Sequence, residues 1–460
     1  RRIKMMDQPV DKGNIEVINL DNIAYGGDAV GRKNNFTIFV PQGIPGEKVK
    51  IKITEVKKSY ARGEIISVIE ETEERITPTC EVSEQCGGCQ IDHIDYQAQL
   101  KYKQQMVEDA LEHIGKLEGI EVNSVLGMEH PYSYRNKAQF PVDVIDEEAV
   151  IGFYAAGSHD VIAYEDCEIQ HPVINRTASR VVELINEYDL SVYNEEIHQG
   201  LIRHLVVRIG VCTNQAQLIL VTNGQEIPYQ EEIIETLMSE IPELNSIYQN
   251  VNTEDTNVVL GEKTKKLAGQ DYIIDYIGNI KYQISPLSFF QINTLQTKVL
   301  YDQVIEYAEL TGSEKVLDAY CGLGSISLYV AGDSKEVYGI EVIEEAIQLA
   351  RENAELNGIK NCNFAAGKVR DVLPQLKNEF NPEVVIVDPP RKGCHESVLE
   401  DFIELGPEKI IYVSCKPTSL ARDLKYLTSN GYTVEEVQPV DMFPQTYHIE
   451  NVVKIVKSNK

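Results

Sequence analysis

Hydrophobic and polar positions alternate strictly near the start of the chain. In Lys48-Val49-Lys50-Ile51-Lys52-Ile53 one face is apolar and the other is lysine, and Gly26, Gly27, Gly31, Gly43 and Gly46 punctuate the short runs around it. A period of two broken by glycine turns predicts the short strands of a small β-barrel. Between Tyr102 and Ile114 the period becomes helical, with Val107, Leu111 and Ile114 on one face, and the helix is expected to pack on a different domain. Residues 125–285 return to short apolar runs such as Gln217-Leu218-Ile219-Leu220-Val221, which predict a strand-rich scaffold. From Lys315 onward strand-like runs carry polar residues at their C-terminal ends, as in an open α/β sheet.

Those ends are where the candidate chemistry lies. Lys315-Val316-Leu317-Asp318 runs into Ala319-Tyr320-Cys321-Gly322-Leu323-Gly324, a strand, glycine turn and helix start. Such a turn lets the backbone approach a ligand, and the new helix turns its free N–H groups toward it. Ser327 stands where the third glycine of a dinucleotide fingerprint would fall, so hydride transfer is only a minor alternative. A second run, Glu336 to Glu341, ends in a carboxylate 23 residues beyond Asp318, near the spacing at which an acid meets a ribose diol. Glu341 is therefore expected to hold a ribose; the plainer reading is a solvated strand end. Two further runs end in Asp388-Pro389-Pro390-Arg391 and Ser414-Cys415-Lys416-Pro417. A lone strand-end cysteine such as Cys415 would, by pattern alone, be inert as often as reactive.

Cysteine usage adds a second candidate site. Cys80, Cys86 and Cys89 fall within ten residues, and Cys167 follows much later. Four soft thiolates suit a structural Zn²⁺ or an iron–sulfur cluster, and reduced thiols with no metal are the third possibility. The spacing leaves all three open.

Length and charge bound the rest. A chain of 460 residues is too long for one core and predicts two or three domains. The net charge of -29, taken alone, argues against a nucleic-acid partner. It is unevenly spread: residues 1–70 carry 12 Lys and Arg against 9 Asp and Glu, and the other 390 residues 31 against 63. A barrel with a basic outer face can grip RNA. No run approaches the roughly 18 apolar residues of a membrane span. The opening residues lack the apolar core of a signal peptide, so a cytoplasmic location is expected. The first residue is Arg1, and a preceding start is expected.

Gly13 to Ile69 resembles the TRAM domain, an OB-like RNA-binding module. Four further motifs in order make the chain resemble the RNA uracil-5-methyltransferases: Phe-Phe-Gln-Ile-Asn at 289–293, Asp-Pro-Pro-Arg at 388–391, Ser-Cys-Lys-Pro at 414–417 and Asp-Met-Phe-Pro-Gln-Thr-Tyr-His-Ile-Glu at 441–450. The barrel and the cysteine set are similar to the branch that acts on 23S ribosomal RNA. The resemblance implies an α/β fold with a Rossmann-like class I methyltransferase domain over 98–124 and 286–460. A TRAM-like barrel over 7–70 and a central domain with the cysteine cluster over 71–97 and 125–285 complete it. Gln291, Tyr320, Glu341 and Asp388 would line an S-adenosylmethionine site. Cys415 would be the nucleophile and Glu450 the base, and Cys80, Cys86, Cys89 and Cys167 would hold a [4Fe–4S] cluster. The implied partner is 23S ribosomal RNA, the implied state a monomer, and no membrane is involved.

The chemistry accounts for these residue types. C5 of uracil is too weak a nucleophile to take a sulfonium methyl unaided, and a thiolate adding at C6 places electron density on C5. A base then removes the C5 proton and the thiolate leaves. The uridine must be flipped out of its stack, and Phe289 is a candidate wall or an ordinary core residue. A methyltransferase acting on an exocyclic amine would favour an aromatic after Asp-Pro-Pro, where Arg391 stands, and would not need Cys415. Glu450-Asn451-Val452 alone is similar to a motif of DNA cytosine methyltransferases, but their Pro-Cys nucleophile motif is not found. An RNA-binding protein without catalysis would be expected to lack Cys415 or Glu450.

Overall fold

The computed structural model describes residues 9–376 and 379–458. Residues 7 and 8 of the expected barrel, and 377, 378, 459 and 460 of the expected C-terminal domain, lie outside the described residues. Strands β1 (Ile15–Ile23), β2 (Ala29–Lys33), β3 (Phe36–Val40), β4 (Lys48–Val56) and β5 (Tyr60–Glu70) close into a barrel in the order β1-β2-β3-β5-β4. The alternation is realised as read: Val49, Ile51 and Ile53 are buried while the intervening lysines face outward. The outer face is less basic than its lysines imply. Lys33, Lys48, Arg32 and Arg62 are paired with Glu16, Glu70, Asp21 and Asp28, at 2.6 to 2.9 Å. Exposed pairs of this kind contribute little stability, but each removes a cation from the field offered to a phosphate.

Helix α1 (Tyr96–Ala110) starts six residues before the predicted one, because Asp95 caps it by accepting from the Gln97 amide at 3.0 Å. It continues as a wider turn over Leu111–Gly115. That extra residue per turn rotates Ile114 off the apolar face, leaving it 44% exposed, whereas Val107, Ala110 and Leu111 join the core of the C-terminal sheet.

The central region is a seven-stranded sheet, β12-β11-β10-β9-β6-β7-β8, built from β6 (Lys137–Ile145), β7 (Glu148–Tyr154), β8 (Val161–Ala163), β9 (Ile202–Gly210), β10 (Gln215–Thr222), β11 (Leu244–Val251) and β12 (Lys263–Gly269). Two helices absent from the strand-rich reading, α2 (Pro172–Glu187) and α3 (Gln230–Glu240), cover it. Helix α2 follows a helical period, burying Val173, Val181, Val182, Leu184 and Ile185. The hairpin of β13 (Ile273–Ile277) and β14 (Ile280–Ile284) packs its apolar side into the C-terminal core instead.

Helix α4 (Thr294–Ala308) leads into the C-terminal sheet. Its strands are β15 (Lys315–Ala319), β16 (Glu336–Glu341), β17 (Cys362–Ala366), β18 (Val384–Val387), β19 (Lys409–Ser414), β20 (Tyr432–Val440) and β21 (Glu450–Lys457), in the order β17-β16-β15-β18-β19-β21-β20. The first five are parallel, and β21 runs antiparallel between β19 and β20. Fully buried parallel strands are near-continuous apolar runs, as Val384–Val387 is.

Lys103 of α1 and Asp441, just after β20, form a buried ion pair at 2.6 Å with neither side chain exposed. Asp441 also accepts from Tyr96 Oη at 2.9 Å and from the Phe443 amide at 3.2 Å. Burial depresses the Lys103 pKa and Asp441 opposes that shift. Removing one partner strands the other charge in the interior, so Lys103→Met is expected to lower unfolding free energy by about 3–5 kcal/mol. Lys103→Met with Asp441→Leu is expected to recover part of it. Denaturant titration of both variants checks this; equal stability of the single variant and the wild type would refute it.

Candidate active site

The topology sets five candidate residues in one row. Glu341, Tyr320, Asp388 and Cys415 end or follow β16, β15, β18 and β19, which are consecutive neighbours in the sheet. Strand β21 is next and antiparallel: Val413 pairs with Val452 and Ser414 with Asn451. The residues one step outward on those two strands are Cys415 and Glu450.

The glycine turn holds its shape through unusual backbone. Gly322 and Gly324 have φ of +54° and +82°, and Tyr320, which has a side chain, has φ of +69°. A non-glycine residue there costs roughly 1–3 kcal/mol and persists where the surroundings enforce it. The Glu341 carboxylate accepts from the amides of Gly322, Val342 and Ile343 at 3.3, 2.7 and 3.0 Å. It is thus fixed at the strand end. Asp318, fully buried, accepts from Ser327 Oγ at 2.5 Å, which gives the residue in the missing glycine's place a structural task. Burial, with Asp388 and Glu341 nearby, raises the Asp318 pKa to about 7.

Gln291 is buried on the segment before α4, and its carbonyl accepts from Asn136 Nδ2 at 2.8 Å. Asn293 donates to the Met442 carbonyl at 3.1 Å, tying that segment to residues 441–449. Phe289 is 72% exposed, so core packing does not explain it; Phe290 is the core residue.

Cys415, Glu450, Asp388 and Arg391 form one electrostatic unit. Glu450 is 5% exposed and its Oε2 has no hydrogen-bond partner among the described residues. Burial, then the neighbouring Asp388, pushes its carboxyl well above the usual range, and Arg391 pulls it back. Burial raises Asp388 to about 7. Burial lifts the Cys415 thiol to about 12, Glu450 and Asp388 add to the lift, and Arg391 opposes it. Two carboxylates beside a thiol favour the protonated forms of all three. Of the other cysteines near this edge, Cys321 and Cys394 are buried. Arg391, which the sequence marked only as part of a motif, emerges as the cation of the site.

An aromatic cluster stands beside the row. Tyr447 and His448 have ring centroids 4.2 Å apart, Phe443 stands 5.8 Å from His448, and Tyr25 of the barrel meets Tyr447 edge-on at 5.0 Å. Tyr25 feels the charges of Cys415, Arg391 and Glu450. Nothing in the sequence marked Phe443, Tyr447 and His448 except their place in the 441–450 motif, and nothing marked Tyr25.

Cys80, Cys86, Cys89 and Cys167 line one cavity of about 540 Å³ together with Arg135, Lys137, Arg391, Phe443 and His448. Burial raises all four thiols, Cys80 to about 11 and Cys167 to about 12. Cys89 and Cys167 are raised further by other cysteines of the set, so the four sense one another. Among the described residues no group of three or more His, Cys, Asp or Glu forms a ready-made metal site. The donor set itself, four soft thiols around one cavity, fits a metal centre.

The tRNA (uracil-5-)-methyltransferase family profile matches residues 95–458, and the TRAM domain profile matches 14–66. An uncharacterised RNA methyltransferase of Halalkalibacterium halodurans is 45% identical over 452 residues, 98% of this chain and 99% of that one. Another, of Clostridium acetobutylicum, is 45% identical over 455 residues, again 98% and 99%. Among solved structures, the Pyrococcus abyssi tRNA (uracil-54, C5)-methyltransferase in complex with S-adenosyl-L-homocysteine is similar over 96% of this chain and 100% of that chain, at 28% identity and a TM-score of 0.76.

The electrostatics of the row are directly testable. Once ionised, Glu450 raises the Cys415 thiol, so at alkaline pH, where that carboxyl is charged, Glu450→Gln should raise the thiolate fraction and iodoacetamide should modify Cys415 severalfold faster. Arg391→Ala should slow it. Peptide mass mapping of the alkylated Cys415 reads the rates; a slower reaction in Glu450→Gln would refute the coupling.

Proposed function

The chain belongs to the tRNA (uracil-5-)-methyltransferase family, and from that premise we propose that it methylates C5 of a uridine in 23S ribosomal RNA through a covalent adduct on Cys415. It is an S-adenosylmethionine-dependent RNA methyltransferase of the uracil-5 family. The observation that carries the proposal is the register that sets Cys415 and Glu450 side by side.

The proposed division of labour follows the sequence reading: the barrel over 7–70 grips RNA, 71–97 and 125–285 hold the cysteine set, and 98–124 with 286–460 hold the methyl donor and the base. Gln291, Tyr320, Glu341 and Asp388 line the donor's site, with Glu341 placed for a ribose. The donor supplies an electrophilic methyl group. Cys415 adds as thiolate to C6, moving the C5=C6 electrons onto C5 and O4, and C5 then takes the methyl. Glu450 accepts the C5 proton, the C–H electrons reform the double bond, and the sulfur leaves. Arg391 favours the ionised forms of both residues. Phe289, exposed two residues before Gln291, is the proposed stacking wall for the flipped base.

Cys80, Cys86, Cys89 and Cys167 would hold a [4Fe–4S] cluster, which would tie the 80–89 segment to the loop before α2. Anaerobically purified protein should then be brown, with visible absorbance lost in Cys86→Ser and Cys167→Ser. Colourless protein with one zinc per chain would replace the cluster by zinc.

The ribosomal reading rests on the resemblance of the barrel and the cysteine set to the 23S branch. The P. abyssi neighbour acts on a tRNA uridine, which makes tRNA the second reading. Mapping 5-methyluridine in both RNAs from cells lacking the gene separates them.

RNA carrying 5-fluorouridine at the target should be trapped by the wild type and not by Cys415→Ala, since fluorine cannot leave as a proton does. Glu450→Gln should lower turnover about 10²–10⁴-fold and accumulate an adduct with unmodified RNA. Denaturing gels read both; slow turnover with no adduct would remove Glu450 from the role of base.

A further inference from the structure

We infer that the chamber joining the cysteine set to the catalytic row is an RNA phosphate site, in which Arg135, Lys137 and Arg391 hold a phosphodiester close to the flipped uridine. The inference deepens the proposed function and rests on its RNA substrate.

The first observation is the arrangement of cations. Lys137 on β6 pairs directly across the ladder from Arg208 on β9. Like charges directly opposite are destabilising, and this chain carries 72 acidic residues from which a partner could come. None is supplied. Arg208 is buried and donates only to the neutral carbonyls of Ser285 and Ser288, at 3.2 and 2.8 Å. Among the described residues, Lys137, Arg135 and Arg391 form no salt bridge, and the buried Arg135 Nε has no hydrogen-bond partner.

The second observation is that these groups face one space. Arg135, Lys137 and Arg391 line the same cavity, together with Gln139, Phe443 and His448. His448 feels Arg391 and Arg135 together, and Arg391 in turn acts on Cys415 and Glu450. A line of positive charge thus runs from β6 to the nucleophile. The acids that share the cavity are engaged elsewhere: Asp92 accepts from Ser83 Oγ at 2.6 Å, and Glu168 from Tyr164 Oη at 3.2 Å. The barrel shows the opposite arrangement, with most of its arginines and several lysines paired to acids.

The chemistry that fits is a singly charged, oxygen-rich anion on a strand threaded past aromatic rings. An RNA phosphodiester next to a flipped base is such a group, and Arg and Lys are its usual partners. Holding that phosphate would fix the backbone on either side of the extruded nucleotide.

The test uses full-length holoprotein with Lys137→Gln and Lys137→Arg. The slope of log binding constant against log salt for substrate RNA should fall by about 0.7–0.9 in Lys137→Gln, the loss of one phosphate contact, and be restored in Lys137→Arg. An RNA with a single neutral methylphosphonate at the responsible linkage should bind the wild type more weakly and Lys137→Gln unchanged. Since Lys137→Gln removes a like-charge pair, its thermal midpoint should not fall. An unchanged slope overturns the site. So does loss of S-adenosylmethionine affinity with the slope intact, which would give the cations to the donor's carboxylate. Loss of visible absorbance with the slope intact would assign them to balancing a metal centre, and also overturns it. The proposed function stands or falls separately, on whether wild-type protein traps 5-fluorouridine RNA.

Discussion

The buried pair between Lys103 and Asp441 is the joint on which the candidate catalytic edge depends. It fixes helix α1 to the start of the 441–449 segment, and Lys103 also donates to the Phe443 carbonyl at 3.1 Å. From there further hydrogen bonds hold the segment. Gln99 donates to the Gln445 side chain at 2.8 Å, and the Gln445 carbonyl accepts from the amides of Gln90 and Ile91, next to Cys89. Gln445 itself has φ of +69°, a conformation that survives only under such constraint. One irregular segment therefore sets the cysteine set, the aromatic cluster and the start of β21, whose first residue is Glu450. A buried ion pair is a costly way to make a joint, and its geometric definition is what an apolar contact would lack.

Charge in the cleft is divided into two uncompensated halves. On the strand edge, Glu450, Asp388 and Asp318 crowd together and are held above their ordinary pKa values. On the β6 side, Lys137, Arg135 and Arg208 crowd together without carboxylates. Folding stability alone would favour exchanging some of these charges across the cleft. On the proposed reading the two substrates complete them, a cationic methyl donor against the acids and a phosphodiester against the bases. Arg391 lies between, acting on Cys415 and Glu450 while lining the basic chamber.

How much was legible in the sequence follows from which forces are local. The strand ends at Asp318, Glu341, Asp388 and Cys415 could be read because a parallel α/β sheet puts the C-terminal ends of its strands on one edge, whatever the details. The barrel could be read because alternation with period two fixes which side faces inward. Helices α2 and α3 were missed because their apolar runs are short and lie between true strands, where local pattern does not decide. Ile114 was misplaced by a single wide turn. Glu450 was named through family resemblance and not through pattern. Its place beside Cys415 depends on the antiparallel insertion of β21 and its register with β19, a long-range pairing. The pairing of Lys137 with Arg208 is equally non-local, separated by 71 positions, so Arg135 and Lys137 stand close in the linear chain with nothing to mark Arg208 as their neighbour.

The barrel is built into the candidate catalytic region rather than tethered to it. Ile23 and Ile44 share a buried cluster with Ile91, Ile94, Ala98 and Met106, which belong to the cysteine segment and α1. At Gly27, where φ is +88°, a Cβ would lie 2.9 Å from Gln90 Cβ, so the loop between β1 and β2 approaches the cysteine segment as closely as a glycine allows. That loop carries Tyr25, whose ring meets Tyr447 in the aromatic cluster. Arg75, just beyond the barrel, clasps the fully buried Glu47 at 2.6 Å. Contacts this dense make the TRAM-like barrel part of the wall of the candidate site, so on the proposed reading a strand gripped by the barrel would be delivered at the mouth of the cleft. Recognition and chemistry are then coupled through packing, because a shift of the barrel would move Tyr25 against Tyr447 and the cysteine segment together.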